Sequence, residues 1–145
     1  MQRVARAEVR VAEECVGRIG AGLLLLVGSE RGDDDVVTRR VAERCARLRI
    51  FPDAEGRMNL SVLDTGGEVL VVSQFTLAGD TRRGRRPSFD GAAPPDEARP
   101  RIELFRATLE GLGLRCASGR FGAHMEVELV NDGPVTFVVD ERAAR

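Results

Sequence analysis

One histidine, three cysteines, no lysine and no apolar run longer than the five residues of LLLLV at 23–27 set the first limits on this 145-residue chain. With His124 as the single imidazole, a Ser-His-Asp triad has no parts to spare. A structural zinc site would need His124 joined by Cys15, Cys45 and Cys116, which are widely spaced and form no CxxC. Three such cysteines read as small buried hydrophobes in a reducing compartment. Five apolar residues are far too few to cross a bilayer, and MQRVARAEVR carries charge throughout, so no signal peptide is visible and a cytoplasmic protein is expected. No GxxxxGK[ST] loop occurs, and GRIGAG at 17–22 misses the GxGxxG pattern. Nucleotide hydrolysis and dinucleotide redox chemistry thereby lose their main support.

What is present is the profile of an ordinary globular protein, with 43% hydrophobic and 31% charged residues. The length suits one domain over residues 1–145 with a core that needs no staples. Formal net charge is −1, so global charge draws in neither nucleic acid nor an acidic partner. The distribution says more: every basic residue apart from His124 is Arg, and four crowd into TRRGRR at 81–86. Guanidinium forks suit phosphate, although an all-arginine usage equally reflects genome composition and a solvated loop needs no ligand.

Periodicity divides the chain into short elements. Val9 and Val11 mark a first strand, CVGRIGAG a glycine-rich turn, and Leu23–Val27 a second strand buried on both faces. From Asp33, the residues Val37, Val41, Cys45 and Leu48 recur at helical spacing, with acids first and arginines last, as the helix dipole favours. Ile50-Phe51 opens another strand. Met58–Leu63 and Glu68–Phe75 are expected to form a hairpin about Gly66-Gly67. A long Gly, Arg and Pro-rich loop from Ala78 to Pro95 is a candidate for function on length alone. Asp96 opens a second helix through Ile102, Phe105, Leu109 and Leu112, with Pro100 near its first turn. Strands over 114–117, 125–130 and 135–140 complete about seven strands and two main helices. Uneven interleaving predicts an α+β fold with a largely antiparallel sheet.

Little side-chain chemistry remains, and the candidates are backbone-rich loops: SQFT at 73–76, the basic loop, GRFG at 119–122 and NDGPVT at 131–136. An enzyme built on these must work largely through main-chain donors, hydroxyls and substrate groups. Paired backbone N–H groups are the usual holders of a developing oxyanion in acyl transfer, each worth about 3 kcal/mol.

VSQFTL at 72–77, DTRRGRRPSF at 80–89, RFG at 120–122 and LVNDGPVT at 129–136, together with QRV at 2–4, ARLRIF at 46–51 and GRMNLSV at 56–62, closely resemble the D-aminoacyl-tRNA deacylases. The likeness runs in order along the whole chain. Departures are Ala78-Gly79 after SQFTL, where the family often has an aromatic and a small residue, and the acids Glu8 and Glu13-Glu14. The resemblance implies a barrel-like fold and hydrolysis of the ester joining a D-amino acid to the terminal adenosine of tRNA, with glycine left open as a further acyl group. It implies a homodimer with no cofactor, no metal, no DNA and no membrane as partner.

Residue by residue, it implies that Ser73, Gln74, Phe75 and Thr76 form the catalytic motif. Gly133 and Pro134, joined by a cis peptide bond and lent to the other subunit, would form a chiral gate that Arg3 helps to hold. Phe121 and Met125 would line the adenosine pocket, and Arg82, Arg83, Arg85 and Arg86 would meet acceptor-stem phosphates. Thr76 as a nucleophile lacks a base, so attack by water assisted by the ribose 2′-hydroxyl is preferred. Two other readings stand beside this one: a non-catalytic tRNA-binding module, and an editing enzyme acting on achiral or L-substrates, against which SQFT argues.

Overall fold

In a computed structural model the chain is described over residues 1–142. Its elements, in order, are strands β1 (Gln2–Val11), β2 (Glu14–Ile19) and β3 (Gly22–Val27), helix α1 (Asp35–Arg47), strands β4 (Phe51–Pro52) and β5 (Met58–Leu60), the one-turn helix α2 (Val62–Thr65), strand β6 (Glu68–Ser73), a 3-10 turn (Phe75–Ala78), helix α3 (Pro95–Gly111), and strands β7 (Cys116–Ser118) and β8 (Glu126–Thr136). The sheet order is β2-β1-β3-β6-β7, with β8 on β1. β2 and then β3 line one edge of β1, through Ala7–Val11 and Gln2–Val4, while β8 lines the other. Gly17 of β2 lies so close to β7 that a Cβ there would sit 2.5 Å from the Ser118 carbonyl oxygen, and this approach nearly closes the barrel.

Alternation along β3 and β6 sorts the core into two clusters. Leu24, Leu70 and Val72 turn inward to Ala7, Val9 and Ile19. Leu23, Leu25, Val69 and Val71 turn outward, beneath Ala42, Cys45 and Ala46 of α1 and Phe105 and Leu109 of α3. Burial on both faces is what a central strand without a solvent side requires, and it makes LLLL and VLVV continuous apolar runs. The Asp34 side chain caps α1 by accepting from the Val37 amide at 2.8 Å, with Asp35 in the first turn and Arg44 and Arg47 in the last. Pro95 sits at the start of α3, where a missing N–H costs nothing, and Pro100 falls inside the helix.

The α+β expectation holds, with two main helices and four antiparallel pairings, but β3-β6 and β6-β7 are parallel, so the sheet is mixed. Three local expectations are corrected. The first tight turn is Ala12-Glu13, not the glycine-rich stretch; both residues take positive φ (47° and 69°), and CVGRI is a strand. The hairpin over 58–75 does not form. Ser61 and Asp64 close a capping box on α2, β5 pairs with β4, and β6 leaves for β3. The two strands expected over 125–140 are one, which ends at Thr136.

Burial raises the thiol pKa of Cys45 and of Cys116 to about 11, desolvation being the larger cause in each. A raised thiol pKa leaves the group protonated below it, so at pH 8 only about one thiol in a thousand at either position is a thiolate. Iodoacetamide at pH 8 is expected to label exposed Cys15 alone in the native protein and all three cysteines in denaturant; mass spectrometry of the labelled peptides checks this.

Candidate active site

β3, β6 and β7 run parallel, so their carboxyl ends open on one side of the sheet, where open α/β sheets commonly bind ligands. The segments that leave there are Gly28–Arg31, Ser73–Gly79 and Gly119–His124. α3 begins nearby, since its Ala93 and Arg101 flank reaches Ser29: the Ala93 amide donates to the Ser29 carbonyl at 2.9 Å, and the Arg101 guanidinium lies 3.4 Å from the Ser29 hydroxyl.

Ser73 closes β6, and the Gln74 amide donates to the Val27 carbonyl at 2.8 Å, tying the motif to β3. The chain then turns through one 3-10 turn over Phe75–Ala78, with Leu77 donating to Gln74 and Gly79 to Thr76. Among the described residues the Phe75 and Thr76 amides have no protein acceptor. Two adjacent exposed N–H donors are what an oxyanion needs. The Thr76 hydroxyl is held by the Gln74 side-chain amide, which donates to it and cannot act as its base.

NDGPVT is built differently. Val4 pairs with Asn131 and Gln2 with Thr136, so four residues, Asp132–Val135, bulge from β8 opposite the single residue Arg3. Arg3 is 11% exposed and donates to the Asp132 carbonyl at 2.9 Å and the Ile50 carbonyl at 2.6 Å. Asn131 closes the bulge from below: its side chain accepts from the Val135 amide at 2.7 Å and donates to Gln2 and Thr136 at 2.9 Å. Val135 is buried, while Gly133 and Pro134 stand exposed at the tip. The Gly133-Pro134 bond is cis. Gly133 has φ 140°, and a Cβ there would come within 2.6 Å of the Val135 side chain.

Within one chain the two motifs do not meet. β1 and β3 lie between β8 and β6, and the bulge is level with Val69 whereas SQFT begins at Ser73. Strand spacing and rise place them on the order of 15–20 Å apart. A cavity of about 410 Å³ is lined by β3, Leu77, Ala78, both main helices and 136–141, and includes none of Ser73–Thr76 or Gly133-Pro134.

Phe121 is half-buried with the Arg99 guanidinium 4.6 Å above its ring, a neighbour that sequence periodicity does not signal. Met125 packs against the inner cluster. The loop of 78–95 is ordered by paired backbone hydrogen bonds between Asp80 and Ser88, at 2.7 and 2.9 Å, which make its basic tip a hairpin. At its base Arg82 binds Asp80 in bidentate fashion, at 2.9 and 2.6 Å, and holds the Asp80 carboxyl at a pKa of about 2. Arg83, Arg85 and Arg86 form no ion pair among the described residues and are exposed. No group of three or more His, Cys, Asp or Glu side chains among the described residues is placed to hold a metal ion.

The molecule is thus a nearly closed α+β barrel with two adjacent unpaired amides where β6 ends. Residues 1–140 match the family described as D-Tyr-tRNA(Tyr) deacylase. A D-aminoacyl-tRNA deacylase of Roseiflexus sp. (strain RS-1) is 57% identical over 145 residues, 100% of this chain and 94% of that protein. One of Heliobacterium modesticaldum is 58% identical over 142 residues, covering 98% and 95%. Among solved structures, that of a c-Myc DNA unwinding element binding protein has a TM-score of 0.91 at 36% identity and covers 98% of this chain and 97% of its own. A probable eukaryotic D-amino acid tRNA deacylase has a TM-score of 0.76 at 18% identity over 91% and 92%, a likeness of fold. The chain belongs to the D-Tyr-tRNA(Tyr) deacylase family.

Arg3→Ala would leave the partly buried Ile50 carbonyl unpaired and release the exposed Asp132 carbonyl to water, so it is expected to destabilise the protein by about 1–3 kcal/mol. The urea midpoint measures this, with Arg6→Ala, at an exposed ion pair, as a near-neutral control.

Proposed function

We propose that residues 1–145 act as one domain that removes D-amino acids from tRNA by backbone-assisted hydrolysis, in a site shared between two copies of the chain. The chain is a D-aminoacyl-tRNA deacylase, a hydrolase of the ester bond between the amino acid and tRNA. The observation that carries the mechanism is the unpaired Phe75 and Thr76 amide pair at the exits of β3, β6 and β7. As water attacks the ester carbonyl, negative charge grows on its oxygen, and these donors stabilise it. The 2′-hydroxyl of the terminal ribose orients that water and relays its proton, passing its own to the neighbouring ester oxygen as that leaves with the tRNA while the carbonyl carbon takes up the water's oxygen; no protein base stands beside Thr76 to do this. Ser73 and Gln74 set the turn, and Gln74 holds the Thr76 hydroxyl toward the substrate.

The gate comes from a second copy. In one chain Phe75 and Thr76 are exposed and the exposed Gly133-Pro134 tip stands apart from them, so a two-fold pairing would supply each motif with a counterpart. A site that accepts many side chains cannot grip them and must read the geometry at Cα; fixed carbonyls of Gly133 and Pro134, held by Arg3, do this better than mobile side chains. Glycine carries no side chain to reject and enters as a second acyl group. Phe121 and Met125 border the adenosine, and Arg83, Arg85 and Arg86 meet acceptor-stem phosphates, with Arg82 shaping the hairpin. The protein works in the cytoplasm, where charged tRNA is found; no helix among the described residues is long and apolar enough to cross a membrane.

Incubation with D-Tyr-tRNA and L-Tyr-tRNA is expected to release D-Tyr only; equal rates on both would remove the chiral selectivity, and binding of uncharged tRNA with no ester loss on either would leave the tRNA-binding module in its place. Native mass measurement at micromolar concentration is expected to give a dimer, and a pure monomer would remove the shared site. Alanine at Arg83, Arg85 or Arg86 should each weaken tRNA binding and lower the slope of log K against log salt by about 1. Arg82→Ala should loosen the hairpin with a smaller change in that slope.

A further inference from the structure

The Phe75 ring, 58% exposed, projects away from the 3-10 turn and meets one aromatic neighbour, Phe89, edge to face at 5.1 Å between centroids and 64° between planes. Phe89 is fixed at its own root. Its carbonyl accepts from the Ala92 amide at 3.0 Å, the next carbonyl, that of Asp90, accepts from the Arg31 side chain at 2.8 Å, and the Gly91 carbonyl accepts from the Arg31 amide at 2.9 Å. Gly79 passes so close beneath the ring that a Cβ there would lie 3.1 Å from Phe89 Cε1, and the same Gly79 donates its amide to the Thr76 carbonyl. Phe89 therefore bears on the catalytic turn at two points, one on each side of the Phe75-Thr76 peptide. A four-residue 3-10 turn is soft by itself, and oxyanion donors act only when their position is held to a fraction of an ångström.

We propose that Phe89 is a positioning residue for catalysis: its ring holds the Phe75 side chain, and through it the Phe75 and Thr76 amides, in the orientation that stabilises the transition state. This rests on the reading of those amides as oxyanion donors. Phe89 also stands at the foot of the hairpin that carries Arg83, Arg85 and Arg86, so RNA seated on the tip loads the same post that steadies the turn. Affinity and turnover are nevertheless separable, because Phe89 touches the turn and the tip arginines do not.

The test uses the full-length enzyme and D-Tyr-tRNA. Phe89→Ala is expected to lower kcat about 10- to 100-fold, the range seen when an oxyanion donor is misplaced, with KM and the Kd for uncharged tRNA within about twofold of wild type. Phe89→Tyr, which keeps the ring, should return kcat to within about threefold, and Phe75→Ala with Phe89→Ala should lose no more than the worse single variant, as expected of groups acting as a unit. Wild-type kcat in Phe89→Ala, or a loss confined to KM, would overturn the proposal. If Phe89→Ala does not fold, Phe89→Leu carries the same expectation, because it fills the space without the ring. Replacing the Thr76 amide by an ester, with the α-hydroxy acid incorporated at position 76, tests the donor reading separately: an unchanged kcat there removes the oxyanion role, whereas the Phe89 variants decide the positioning role.

Discussion

Arg3 ties together the parts of this protein that the sheet alone would leave independent. Its backbone belongs to β1, which pairs with β2, β3 and β8; its guanidinium reaches the Ile50 carbonyl behind α1 and the Asp132 carbonyl in the β8 bulge. Four residues facing one cannot keep a ladder, so the bulge needs acceptors and donors from elsewhere. Arg3 donates to the Asp132 carbonyl from one side while anchored on Ile50, and the Asn131 side chain makes three bonds from the other. Without them Gly133-Pro134 would be a mobile loop tip; with them it is an exposed tip with a fixed backbone, on a buried Val135.

That arrangement explains why a chain with one histidine can host a hydrolase. An ionisable catalytic group needs a tuned pKa, and tuning needs burial or partners. A peptide N–H needs only position. The bulge and the contacts of Ser29 and Arg31 with Asp90–Ala93 both serve to place backbone atoms. Asp80 illustrates the economy: its carboxyl, drawn well below the usual range by Arg82, stays charged around neutral pH and keeps its bidentate pair at the neck of the hairpin. A depressed carboxylate pKa gives a contact present above the ordinary value and lost only as pH falls toward the folded one, so the hairpin does not titrate near neutrality.

Much of the fold was legible from period and capping. α1 and α3 follow their apolar spacing, and Leu23–Val27 reads as buried because it is. The misreadings have physical causes. Ala12-Glu13 makes a left-handed turn with residues that do not favour it, so no local signal exists. Ser61 and Asp64 are a capping box, readable but outvoted by the β-prone flanks of the expected hairpin. Parallel pairing of β6 with β3 depends on residues more than forty positions apart, and VLVV is consistent with either partner. The motif residues were legible only as motifs; that Arg82 is taken by Asp80, that Phe121 carries Arg99, and that Phe89 abuts Phe75 are facts of packing between loops.

Separation of roles along the basic loop follows from its geometry. A phosphate-binding arginine has to be free in the unbound protein, because breaking an existing bidentate pair offsets much of what a phosphate contact returns. Arg83, Arg85 and Arg86 meet that condition and Arg82 does not, although all four stand in one run of six residues. The same loop then returns through Ser88 and Phe89 to the turn that holds the unpaired Phe75 and Thr76 amides. One short segment thus has three parts at successive depths: a tip of exposed arginines, a salt-bridged neck, and an aromatic post at the base. The neck is what couples them, because a flexible one would let the tip move without any consequence at Phe75.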